Sequence, residues 1–267
     1  MRTACLATAT LSLFAAGAGA SSLYGISLDG DLYRLGTDGS YEMIGSTGLT
    51  GVGGLDWVNG TLYAHTGTGG AAGALYSINP ATAQAALIGD LGVSFQYEGA
   101  IAYRGDGFAY AIGGRDDGAG LFDVNLATGA ATELGTLSLH DINGLAMRSD
   151  GALVGFSQLA NGLFTIDPAT MQTELLLNVG QVFGQTAIGG MATSDGARAY
   201  VVTDTVTISG TPRGAWLYEV DLYSGEVSFL VDYGAELGIT GIAVPAPGAA
   251  GVLLAALPLA ARRRRRS

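Results

Sequence analysis

Lysine is absent from this chain, histidine occurs only as His65 and His140, and Cys5 is the single cysteine. With one thiol there is no disulfide framework and no cysteine metal site. There is no phosphate-cradling loop. Two histidines on separate repeats cannot make an H-E-x-x-H site, and no G-x-S-x-G stands anywhere. A transition-metal site would have to join the two histidines to stray acids, so both are read as polar loop residues. Charged residues make up only 13% of the chain, while glycine contributes 44 positions. That balance leaves no long charged helical face and favours many tight turns, as in an all-β chain. Between residues 21 and 244, six arginines face 23 acids, a formal charge of −17. Such a surface repels nucleic acid and is expected to keep the chain soluble and monomeric.

The two ends differ from this middle. Met1 and Arg2 form a short basic start, residues 4–16 are apolar, and Ala18-Gly19-Ala20 has the small-x-small form of a signal-peptidase site. The apolar run is shorter than the ~20 residues of a spanning helix, so residues 1–20 read as a signal peptide cleaved after Ala20. Cys5 lies inside the apolar run, too early for lipoprotein processing.

At the other end Val244-Pro245-Ala246-Pro247-Gly248 precedes an apolar stretch over residues 249–261. Five arginines follow: Arg262, Arg263, Arg264, Arg265 and Arg266. The prolines end any preceding strand, and the arginine block would hold a hydrophobic segment's end on the cytoplasmic side. Pro258 and the shortness of the apolar stretch argue against a permanent span, so membrane association is expected to be transient. The order of proline motif, hydrophobic segment and basic cluster over residues 245–267 resembles the PEP-CTERM class of bacterial sorting signals. It departs from the commonest form at Ala246, where glutamate usually stands. The resemblance implies recognition and cleavage by exosortase, and delivery to the cell surface or extracellular matrix of a Gram-negative bacterium.

Repeats set the fold of residues 21–244. A strand opening on Leu-aromatic recurs at Leu32-Tyr33, Leu75-Tyr76, Leu121-Phe122, Leu163-Phe164 and Leu217-Tyr218. Each is followed by a polar turn: Asp38-Gly39, Asn79-Pro80-Ala81-Thr82, Asn125-Leu126-Ala127-Thr128, Asp167-Pro168-Ala169-Thr170 and Asp221-Leu222-Tyr223-Ser224. Asn and Asp bond back to the turn backbone and proline presets φ. A second unit alternates with these: Gly54-Leu55-Asp56, Ala100-Ile101-Ala102, Gly144-Leu145-Ala146, Gly190-Met191-Ala192 and Gly241-Ile242-Ala243. Four of its copies precede Asn-Gly or Asp-Gly, a hairpin signal, and the copies start 46, 44, 46 and 51 residues apart. Four short strands per repeat make a propeller blade. The fifth copy ends the repeats without a turn, and the strands beginning at Ser22 and Leu32 lack an inner neighbour. The two ends therefore predict a five-bladed β-propeller whose C-terminal strand closes the ring beside the N-terminal ones. Seven blades would leave 32 residues each, too few for this spacing.

The loops before the innermost strands should gather at one channel mouth, bringing together Glu98, His140, Asp141, Asn143, Gln185 and Glu236. Asp56, the odd member of a register otherwise holding Ala102, Ala146, Ala192 and Ala243, should sit just inside. A packed aspartate there costs several kcal/mol unless paired or wet, so it is expected to line a hydrated channel or bind a cation. Glu98, Asp141 and Glu236 suit the carboxylate roles of a glycoside hydrolase or lyase, but no motif supports that alternative and the chain is read as non-enzymatic. No cofactor is expected; Asp116 and Asp117 form the one candidate Ca²⁺ loop, and Gly67 to Gly73 reads as a flexible loop between strands. Trp57, Tyr63, Tyr97, Tyr103, Tyr110 and Trp216 either stack on sugar rings or fill the wedges between blades. The expected role is an interaction or matrix component meeting exopolysaccharide or other surface proteins. Signal peptidase and exosortase would be its partners in export.

Overall fold

The computed structural model describes residues 22–95, 99–116, 118–178, 188–203, 206–208, 211–234 and 237–245. Every regular element among them is a strand. In chain order these are β1 (Ser22–Ile26), β2 (Asp31–Gly36), β3 (Tyr41–Ser46), β4 (Val52–Val58), β5 (Thr61–Thr66), β6 (Ala72–Ile78) and β7 (Ala85–Ser94). There follow β8 (Gly99–Tyr103), β9 (Phe108–Arg115), β10 (Gly118–Asn125), β11 (Ala131–Leu137), β12 (Ile142–Met147), β13 (Leu153–Ser157), β14 (Gly162–Ile166) and β15 (Thr173–Asn178). The last are β16 (Ile188–Thr193), β17 (Arg198–Thr203), β18 (Val206–Ile208), β19 (Thr211–Arg213), β20 (Trp216–Asp221), β21 (Val227–Asp232) and β22 (Gly241–Ala243).

They form five antiparallel four-stranded blades: β22-β1-β2-β3, β4-β5-β6-β7, β8-β9-β10-β11, β12-β13-β14-β15 and β16-β17-β20-β21, numbered one to five here. The β18–β19 hairpin is an insertion in blade five. Inner strands touch in the order β22, β4, β8, β12, β16 and back to β22, so the blades close a ring. The chain is a five-bladed β-propeller. Closure is as the repeats predict: Tyr24, Gly25 and Ile26 pair with Ala243, Ile242 and Gly241. Two bonds across nearly the whole chain reinforce it. The Tyr233 hydroxyl donates to the Gly36 carbonyl (2.9 Å), and the Thr240 hydroxyl donates to the Val52 carbonyl (3.0 Å).

The repeated motifs have physical reasons. In all five Leu-aromatic pairs the leucine is fully buried. Each of those burials stabilises by about 2 kcal/mol relative to exposure. Opposite each pair the outermost strand carries a β-bulge, between Leu32 and Tyr33, Leu75 and Tyr76, Leu121 and Phe122, Leu163 and Phe164, and Leu217 and Tyr218. A bulge bends and twists the outer strand, which suits a blade that must splay away from the axis. The polar turns are Asx turns: Asn79 accepts from the Ala81 N–H, Asn125 from Ala127, Asp167 from Ala169 and Asp221 from Tyr223. Five apolar cores follow, each shared by two neighbouring blades.

Around the axis the inner strands meet backbone to backbone at the Gly-Ala ring Gly54, Ala100, Gly144, Gly190 and Gly241. A Cβ on Gly144 would stand 2.6 Å from Met191 Cβ, and one on Gly190 would stand 2.9 Å from the Ile242 nitrogen. At Gly54, Gly144, Gly190 and Gly241 a Cβ meets a neighbour within 3.0 Å, which explains the glycine in four of the five copies of the second repeated unit; blade three carries the methyl of Ala100 instead.

Candidate functional site

The Gly-Ala ring pinches the channel to a void of about 10 Å³, bordered by Gly54, Ala100, Asn143, Gly190 and Thr240. That is barely room for one water, so two separate mouths lie on opposite faces. The inner strands begin at the front mouth and end at the rear one.

At the front mouth the connection into β12 carries His140 and Asp141. Their backbone carbonyls accept from the Ser157 hydroxyl (2.7 Å) and the Gln158 N–H (3.0 Å). Asp141 takes φ +48°, a left-handed conformation that aspartate tolerates because its short side chain bonds locally. The next residue but one, Asn143, sits in a bulge between Ile142 and Gly144 and is turned toward the channel. Its Nδ2 donates to Gln158 Oε1 (3.2 Å), and its buried Oδ1 has no partner. Glu98, Gln185 and Glu236 lie outside the described residues, as do Tyr97 and Asp117. Asp116 is exposed at the end of the β9–β10 hairpin, on the front face. Among the described residues no three His, Cys, Asp or Glu side chains converge.

Asp56 is not at this mouth. It belongs to the end of β4, and its neighbours Trp57, Ala102, Tyr103, Ala146, Met147, Ala192, Thr193 and Val244 border a rear basin of about 570 Å³. The expected grouping with His140 and Asp141 fails because residue 56 follows the Gly-Ala ring, whereas those two precede it. Backbone donors compensate part of the aspartate's burial. Oδ1 accepts from its neighbour Trp57 N–H (2.7 Å), and Oδ2 accepts from Tyr103 N–H on blade three (2.6 Å). Burial pushes its carboxyl up to about 6, against the opposing pull of those two N–H groups.

His65 is likewise not a polar loop residue. It lies in β5, opposite Gly54, and is fully buried. The equivalent positions hold Ile26, Ile112, Phe156 and Val202, so this is a core position that one blade fills with imidazole. The ring meets Phe95 edge-on at 5.3 Å, and neither nitrogen has a well-formed hydrogen bond. Burial lowers its pKa to about 4, although the nearby Thr66 and Ala100 backbones pull the other way.

Of the surface aromatics, Trp57 stacks on Tyr24 across the seam of blades one and two, at 5.4 Å and 7°. Trp57, Tyr63, Tyr103, Tyr110 and Trp216 are all partly buried against inter-blade cores. They fill the wedges. Two wider clefts, about 920 and 880 Å³, run past the Asp167 and Asn79 turns. Each is confined to the side of one or two blades, away from the axis.

The rear basin was not among the sequence expectations. The signal that finds it is the Asx-Gly turn after each inner strand. Those turns share a face, so strand-end residues such as Asp56 and Met147 must share a mouth.

No protein-family model matches the chain, and no curated protein matches it. Its likeness is to solved structures. One is a chain of a nidogen/laminin complex, with TM-score 0.53 and 11% identity over 85% of this chain and 98% of that one. Another is a structural-genomics protein of unknown function from Bacteroides thetaiotaomicron, with TM-score 0.56 and 18% identity over 84% of this chain. The match spans 59% of that second protein's length. At these identities the fold alone is shared, and folds of this kind host many activities.

Proposed function

We propose that the chain is an exported, non-enzymatic interaction propeller. Its C-terminal signal directs it to the surface or extracellular matrix of a Gram-negative bacterium, where it meets exopolysaccharide or another surface protein. The ends of the sequence support export: a signal-peptidase site at Ala18 and Ala20, and the Pro245, Pro247, Gly248 motif with its arginine block. One observation supports the non-enzymatic reading. Among the described residues the open rear basin is lined by a single carboxylate, Asp56, whose oxygens both accept backbone N–H bonds, and the channel's pinch separates it from Asp141 at the front mouth. Glycoside hydrolysis needs two carboxylates facing one bond, one of them free to move a proton.

The test has two parts. Mass spectrometry of surface and membrane fractions from the native host should find a chain beginning at Ser21 and ending near residues 245–248. A chain that keeps Arg262 to Arg266 in the inner membrane would refute surface sorting. Purified chain should retain exopolysaccharide without shortening it. Shortening that disappears when Glu98, Asp141 and Glu236 are replaced by alanine, with retention intact, would establish the hydrolase or lyase instead. Calcium-dependent melting would support a cation site at the axial mouth or at the Asp116-Asp117 loop.

A further inference from the structure

We infer that, while the C-terminal segment is held in a membrane, the propeller stands with its rear face on the lipid surface and its front face outward. The inference rests on the reading of residues 245–267 as a membrane-directed tail.

The geometry is set by where the chain leaves the ring. Val244 lines the rear basin beside Ala102, Ala146 and Ala192, the ends of three other inner strands. The tail therefore departs from the centre of the rear face, not from the rim. Only residues 245–248 separate that point from the apolar stretch. Four extended residues reach about 14 Å at most. A domain of this length has a radius of about 20 Å. Tipping the disc onto its rim would lift the basin by about one radius, further than the tether allows. The headgroup layer, about 5–8 Å deep on each side, takes up part of the same reach.

The rear face offers little adhesion of its own. It carries the turn acids Asp106, Asp150, Asp167 and Asp221. Two of its arginines, Arg104 and Arg148, are engaged by Asp106 at 2.9 Å and Asp150 at 2.7 Å. Anionic headgroups are repelled by such a surface, so the tether alone fixes the orientation. The consequence is functional. In the membrane-held state the Asp56 basin is shut against the bilayer. Outward partners meet the front loops: Ser27 to Gly30, Gly67 to Ala71, His140, Asp141 and Leu159.

Cysteine labelling tests this directly, because a full chain carrying Cys5→Ala has no thiol. Single cysteines go to the exposed rear positions Ala81 and Ser149 and the exposed front positions Ala71 and Leu159. The variants are expressed with the tail intact and probed in spheroplasts with a small impermeant maleimide and a 5-kDa polyethylene-glycol maleimide. The small reagent should label all four. The large one should label the front pair at least tenfold faster, and a 20-residue Gly/Ser insertion after Pro247 should abolish that difference. Equal rates with the large reagent, in chain that sediments with membrane, would overturn the orientation alone. Chain found wholly in the soluble fraction with residues 262–266 still attached would overturn the tail reading, and the orientation with it.

Discussion

Asp56 and His65 should give this protein an unusually flat stability profile between pH 4 and pH 6.5, and single substitutions should tilt it in opposite directions. His65 has its folded pKa depressed from 6.5 to about 4. Below pH 6.5 the unfolded chain takes up a proton that the folded core refuses. Stability is therefore lost as pH falls from 6.5 toward 4 and is constant below. The interval corresponds to about 3 kcal/mol. Asp56 runs the other way. Its folded pKa is raised from 3.8 to about 6, so the folded state holds a proton that the unfolded chain has released. Stability is gained as pH falls from 6 to 3.8. After allowance for water in the adjoining basin, that gain is about 2 kcal/mol. The turn carboxylates add a background common to wild type and both variants. Asp38, Asp106, Asp150, Asp167, Asp195 and Asp221 all have folded values below 3.8, so what they contribute begins to be lost near pH 5 and goes mostly in stronger acid.

The assay is urea unfolding of wild type, His65→Ile and Asp56→Asn at pH 7, 5.5 and 4. Wild type should lose about 1 kcal/mol across the range from these two groups. His65→Ile takes the residue type that blades one and three use at this position. It should gain about 2 kcal/mol on acidification, and at pH 7 it should be at least as stable as wild type, because two unpartnered buried nitrogens are removed. Asp56→Asn should lose about 3 kcal/mol from pH 7 to pH 4. If His65→Ile and wild type give parallel profiles, the imidazole is not held neutral by burial and the account of His65 is wrong.

Three further outcomes follow from the ring itself. Gly190→Val should destabilise by more than about 3 kcal/mol, or block folding, since even a Cβ there meets the Ile242 nitrogen at 2.9 Å; a thermal melt decides it. Ile242→Ala, at a position 1% exposed in the closing strand, should cost about 2–4 kcal/mol and open a protease-sensitive site near β1. Tyr233→Phe removes the 2.9 Å donor of the Gly36 carbonyl, which keeps the Gly39 N–H at 3.1 Å, and should cost about 1 kcal/mol; a fall in the urea midpoint without a change of slope would show that packing is otherwise kept.

The blades were legible because each is written in short-range chemistry. A buried leucine beside an aromatic, an Asx residue accepting from the N–H two positions on, and a glycine where backbones abut are all readable one repeat at a time. Ring closure was legible too, since the unpaired strands at each end complement each other. What the repeats could not show is which mouth a residue faces. Asp56 and Asp141 both neighbour a Gly-Leu or Asn-Gly unit, but one follows the ring of small residues and the other precedes it, so the channel's pinch separates them. His65 was misplaced for a different reason. Imidazole suggests a loop, and only cross-strand register with Gly54 reveals that the position is apolar in the four other blades.

Those two departures from the repeat fall on the same seam. The Asp56 carboxylate reaches the Tyr103 N–H on blade three, and His65 packs against Phe95 and within reach of Gly99 at the start of β8. Blades two and three are thus joined partly by polar atoms, one charged or proton-holding and one unpartnered, at two positions where the other blades place alanine and Ile26, Ile112, Phe156 or Val202. Apolar contacts keep their strength as pH changes, whereas these two do not. The apolar core between the two blades holds the seam, and the opposite signs of the two shifts should keep its pH dependence small: acid weakens the imidazole's place in the core while it neutralises the buried carboxylate beside Tyr103. A chain carrying only one of the two substitutions would fit the propeller equally well, yet its second seam would loosen at one end of the pH range.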